Sequence, residues 1–84
     1  MMEVEELFIR ASEEFEDRNY EKGLGLISRC IEKDRENSLL YCNRGLFFAQ
    51  LGENETAARD LEKAIELNHL NYLAYFNLFS LQFR

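Results

Sequence analysis

The 84 residues predict an all-α fold, on three observations. Apolar side chains recur at helical spacing, polar turn clusters interrupt them at short intervals, and Pro is absent throughout. No alternating run of β-branched residues supports a strand. The first helix is predicted over 4–17, where Leu7, Phe8, Ala11 and Phe15 share a face. Asp17-Arg18-Asn19 ends it, and Asn19 is a candidate N-cap for a second helix over 20–34 carrying Leu24, Ile27, Cys30 and Ile31. Glu36-Asn37-Ser38 opens a third over 38–51, capped by Asn37 or Ser38, with Tyr41, Gly45 and Phe48 on one side. Gly52-Glu53-Asn54 separates it from a fourth over 55–68, whose apolar face holds Ala57, Ala58, Leu61, Ala64 and Ile65. Asn68-His69-Leu70-Asn71 leads into a fifth over 71–84, apolar nearly all round its axis and therefore in need of cover.

Composition narrows the function. Apolar content of 46% and charged content of 31% describe a globular chain, and its length allows one domain, 1–84, burying roughly 60% of its unfolded surface. The net charge of −6 is concentrated early: Glu3, Glu5, Glu6, Glu13, Glu14, Glu16 and Asp17 face only Arg10 in the first 17 positions. Nucleic acid is not an expected partner, because phosphates need a basic face. Cys30 and Cys42 sit in apolar periodic segments without CxxC spacing or a His cluster, so they are expected as small core or groove thiols in a reducing compartment. No apolar run reaches the ~18 residues of a membrane span, and MMEVEELFIR is acidic where a secretory signal is basic, which points to the cytoplasm. His69, the single histidine, has no acid or thiol at catalytic spacing, and no phosphate loop or metal motif occurs. No enzyme activity, catalytic residue, metal site or cofactor is expected.

Sliding the chain by 34 positions superposes its features without a gap. Leu7 falls on Tyr41 and Tyr75, Arg10 on Arg44, Ala11 on Gly45, Gly23 on Ala57, Ile27 on Leu61, Cys30 on Ala64, and Ile31 on Ile65. Helix axes approach to about 8–10 Å only where small side chains face each other beside large ones, so Gly45, Ala57 and Ala64 are expected to be contact points. Gly52 is expected to supply a left-handed turn. This period and the series Tyr41, Gly45, Phe48, Gly52, Ala57, Leu61, Ala64 resemble the tetratricopeptide repeat. The resemblance implies a right-handed α-solenoid of antiparallel helix pairs: a degenerate repeat at 4–37, a closely matching one at 38–71, and at 72–84 the first helix of a third repeat or a cap. In the degenerate repeat Glu14 replaces the aromatic, Arg18 the turn Gly, and Gly23 and Cys30 the Ala positions. Arg35 and His69 stand where the family usually has Pro. In the fifth helix Phe79 occupies a small-residue position and Gln82 an aromatic one. Met1 reads as a true start, whereas Arg84 does not read as a natural end.

The family's inward positions fall here on Phe8, Ile9, Ser12 and Phe15, on Leu39, Cys42, Asn43 and Leu46, and on Leu73, Phe76, Asn77, Ser80 and Phe83. The resemblance thus implies a non-enzymatic protein–protein interaction module or scaffold, holding a peptide or partner helix in an apolar concave groove. Two alternatives accompany it: a self-associating assembly element using the apolar C-terminal helix, and an accessory or regulatory subunit of an enzyme complex. Family members that hold acidic chaperone tails use Lys, Asn and Arg at positions occupied here by Phe8, Ser12, Asn43, Leu73 and Asn77. Only Asn43 matches, so a chaperone-tail clamp is not expected. Arg10 and Arg44 are expected to make no more than exposed ion pairs, each worth under ~1 kcal/mol.

Overall fold

Short polar turns decide how the helices lie. In the computed structural model, which describes residues 3–82, the helices are α1 (Val4–Glu16), α2 (Tyr20–Lys33), α3 (Ser38–Gln50), α4 (Asn54–Leu67) and α5 (Tyr72–Gln82), with no strand among those residues. Met1, Phe83 and Arg84 lie outside the described residues. Three-residue turns after α1 and α3 fold each helix back against the next, and α2 then packs on α3 and α4 on α5.

The two tight turns share one hydrogen-bond plan. Asn19 N donates to the Glu14 carbonyl at 2.8 Å, and Glu53 N donates to the Phe48 carbonyl at 2.9 Å. Each is the long bond of a helix end closed by a left-handed residue. That residue is Gly52 with φ +79° after α3, but Arg18 with φ 64° after α1. Arg18 holds this conformation against the clash of its Cβ with the following carbonyl. Asn19 occupies the N-cap of α2 without a side-chain cap bond, since its backbone at φ −90° and ψ 67° is not the extended one from which such caps reach.

The longer junctions lack Pro and are held by side chains instead. Asn37 Oδ1 accepts from Leu39 N at 3.0 Å, capping α3, and Asn71 Oδ1 accepts from Ala74 N at 3.1 Å, capping α5. Ser38, the other candidate cap, serves the packing: its Oγ donates to the Ala64 carbonyl at 2.7 Å and accepts from Asn71 Nδ2 at 2.8 Å. The ends of three helices are thereby tied together. Tyr41 Oη donates to the Arg35 carbonyl at 2.9 Å, anchoring the loop where Pro is missing.

Small residues set the helix separations. Gly45 is buried where α3 crosses α4; a Cβ there would lie 3.0 Å from Leu61 Cγ and 3.2 Å from the Ala57 carbonyl. Ala57 and Ala64 are fully buried, Ala64 in one cluster with Cys42, Leu61 and Ala74 of α5. Between α2 and α3 the fit is different. A Cβ on Gly23 would overlap the ring of Phe47, which is 3% exposed and stacks edge-on against Phe15 at a centroid distance of 5.2 Å. Phe48 is only half-buried, so Phe47 is the aromatic that fills this interface. Glu14, at the position of the missing aromatic, has one buried carboxylate oxygen without a hydrogen-bond partner and the other 3.7 Å from Lys22 Nζ.

Arg18→Gly is expected to raise the unfolding free energy by about 1 kcal/mol, and Gly52→Ala to lower it by at least as much, both read from urea midpoints. Ala57→Leu is expected to destabilise by about 1–3 kcal/mol through overpacking; an unchanged melting temperature would contradict the described crossing. Gly23→Ala should cost about 1 kcal/mol in the native sequence yet stabilise the Phe47→Leu background, where the smaller side chain leaves room and the helix propensity of Ala shows.

Candidate functional site

The helices α1 and α3 both pack on α2 and leave a seam between them. Ala11, Ile27 and Phe47, all buried, floor a pocket of about 140 Å³ there. Phe8, Ser12, Phe15, Asn43 and Leu46 form its walls, and exposed Glu16 stands at its rim. Asn43 is held along its own helix by a 2.8 Å bond from Nδ2 to the Leu39 carbonyl. Towards the start of the same seam, Val4, Phe8, Ile9, Leu39 and Leu40 line a wider recess of about 630 Å³ whose charged neighbours are Glu5, Lys33 and Asp34.

The remaining groove candidates do not join this floor. Cys42 has no exposed surface and is covered by α5, with Asn77 Nδ2 3.9 Å from its Sγ. No partner reaches it. Phe76 stands at the same repeat position as Cys42 and is 67% exposed, sharing a surface recess with Tyr75, Leu78 and Phe79. Ser80 Oγ donates to the carbonyl of Phe76 in its own helix at 3.0 Å. Leu73 meets Leu39 across a more polar recess lined by Asn37, Ser38, Asn68 and Asn71.

Arg44 departs from the sequence expectation of an exposed pair. Its Nε lies 2.7 Å from Asp60 Oδ2 and its second nitrogen 2.9 Å from Oδ1, a two-bond fork with side-chain exposures of 25% and 9%. The guanidinium also sits 5.6 Å from the centroid of the Tyr41 ring. Hydrogen bonding to Asp60 outweighs burial and holds the Arg44 pKa above its ordinary value. The signal was in the sequence: Asp60 interrupts the stripe Ala57, Leu61, Ala64, and an acid there needs a cation facing it. Burial pushes the Cys30 and Cys42 thiols up, against smaller lowering effects from Arg29 and Asn77 respectively, so both are held protonated. Among the described residues no cluster of His, Cys, Asp and Glu is arranged to hold a metal, and no helix is long and apolar enough to cross a membrane.

No protein-family model matches the chain. Rat (Rattus norvegicus) sperm-associated antigen 1 is 29% identical over 62 residues, and the mouse (Mus musculus) E3 ubiquitin-protein ligase TTC3 is 38% identical over 61 residues, covering 74% and 73% of this chain. The matched segments span 7% and 3% of those proteins' lengths. Among solved structures, the second TPR of Spaghetti (RPAP3) bound to the HSP90 peptide SRMEEVD matches with a TM-score of 0.89 at 24% identity, over 94% of this chain and 73% of that one. That protein binds an HSP90 peptide, so the match runs contrary to the expectation that a chaperone-tail clamp is absent here.

Asp60→Asn is expected to lower stability by about 2 kcal/mol, because Arg44 is left half-buried without a countercharge; Arg44→Met combined with Asp60→Leu should recover most of that loss. Both thiols are expected to resist maleimide in the folded chain and to label on unfolding. As pH rises past the ordinary thiol range, the unfolded chain loses protons that the folded one retains. Stability should therefore fall on the alkaline side, and less so in a Cys30→Ala, Cys42→Ala chain referenced to its own neutral value.

Proposed function

We propose that this chain, whose fold is that of the tetratricopeptide repeat, is a non-enzymatic interaction module that takes a peptide or a partner's helix along the seam of α1 and α3. The observation that carries this is the 140 Å³ pocket: Phe8, Ser12, Phe15, Asn43 and Leu46, from two helices that are not consecutive, surround a ready-made socket for one apolar side chain. The units are repeats at 4–37 and 38–71 followed by α5. A non-catalytic role is supported by two buried thiols held protonated and by an exposed His69 at a helix junction. The test is selection of binders from a displayed peptide library, followed by titration against a Leu46→Arg chain with an unchanged circular dichroism spectrum. Loss of about tenfold or more in affinity supports the seam, and equal affinity overturns it.

A second reading, self-association through α5, is favoured by the surface of that helix. Tyr72 is 75% exposed, and Leu73, Tyr75 and Phe76 are also exposed. Residues 67–83 carry no Asp, Glu, Lys or Arg, so two copies of a chain with net charge −6 meet there with least repulsion. Phe79 occupies the repeat position of Gly45, so a further helix would not nest on α5 as α4 nests on α3. Sedimentation is expected to show a dimer that Phe76→Asp dissociates; a monomer at high concentration overturns this reading.

A further inference from the structure

The neighbour's bound peptide, SRMEEVD, is acidic at three of its seven positions, whereas the seam here is rimmed by acids of its own. Glu16 stands at the mouth of the 140 Å³ pocket, and Glu5 and Asp34 line the wider recess, where Lys33 is the single base. Arg44 is turned to Asp60 on α4, and Arg10 lines neither cavity. The whole chain adds a net charge of −6. An acidic tail would meet repulsion at both ends of the seam.

We infer that the ligand of this seam is a cationic peptide with two apolar anchors, a proposal that rests on the seam being the binding site. The pocket compares in volume with a cavity of about 150 Å³ that accepts benzene, so its anchor is a Phe- or Leu-sized side chain. The second anchor enters the wider recess, where Ile9 is 58% and Leu39 49% exposed. On α1 the recess is lined by Val4, Glu5, Phe8 and Ile9 and the pocket by Phe8, Ala11, Ser12, Phe15 and Glu16; Phe8 is shared, and each of the other pocket residues lies seven positions after a recess residue. That is ~10 Å, the i to i+7 spacing of a helical ligand. Lys or Arg beside each anchor then faces Glu5 and Asp34 at one end and Glu16 at the other.

Three labelled helical peptides test this, each with Phe anchors seven residues apart and with flanks of Lys, Gln or Glu, together with SRMEEVD. Fluorescence anisotropy is read at about 20 mM and about 300 mM salt. The Lys-flanked peptide is expected to bind about tenfold or more tightly than the Glu-flanked one at low salt, with the ratio shrinking at high salt. Glu5→Gln combined with Glu16→Gln should reduce the ratio of Lys-flanked to Glu-flanked affinity, with the Gln-flanked peptide as the reference in each chain. Equal affinities for the three helical peptides, with Leu46→Arg still abolishing them, overturn the charge inference and leave the seam as the groove. Tighter binding of SRMEEVD than of the Lys-flanked peptide also overturns it. Failure of all four to bind overturns the anchor geometry and, if library selection also yields nothing, the seam itself.

Discussion

The crossing of α3 on α4 at Gly45 is the constraint on which the rest of the structure depends. With no side chain at that point, the Leu61 side chain and the Ala57 carbonyl come within 3.0–3.2 Å of where a Cβ would stand. Approach at this range lets the walls of the helix pair close over fully buried Ala57 and Ala64 and nearly buried Leu61. It also decides where everything further out falls. Once α4 is seated, the Ala64 carbonyl comes within reach of Ser38, and Ser38 in turn receives Asn71. The position of α5 thus follows from a missing methyl group two helices earlier.

Equivalent positions across the chain show how one plan is executed with different chemistry. Asn37 and Asn71, thirty-four residues apart, both cap a helix through Oδ1. Gly52 and Arg18 both take the left-handed turn, one without strain and one with it. Phe8, Cys42 and Phe76 occupy one stacking position: Phe8 packs against the first core cluster, Cys42 lies under α5, and Phe76 is exposed.

The helices were legible in the sequence because helical periodicity and turn chemistry are local. Predicted spans of 4–17, 20–34, 38–51 and 55–68 differ from the observed bounds by at most one residue at either end. The side-chain partnerships were less so. Phe47 and Phe48 are adjacent and alike, and the one that turns inward is chosen by the space above Gly23 on another helix. The Arg44 and Asp60 pair spans sixteen residues and a turn, so the acid within the α4 stripe signals a facing cation without saying which one. For the seam, the inward positions implied by the family resemblance include Phe8, Ser12, Phe15, Asn43 and Leu46, five residues that line one pocket. They also include Cys42, although the angular position of Cys42 on α3 points it at α5.

The fit of Gly23 to Phe47 has an evolutionary consequence. Solenoids are commonly treated as strings of exchangeable units, each contributing its own stability and a generic contact with the next. Here the boundary between the first and second units is a lock cut for one key. A unit transplanted from a relative with Ala at that place would strike the Phe47 ring, and duplication of the 38–71 segment would set Phe47 against Ala57. Lengthening by a copy of the 38–71 segment would therefore carry at the joint a cost like that expected for Gly23→Ala, about 1 kcal/mol, unless one of the two residues there also changed.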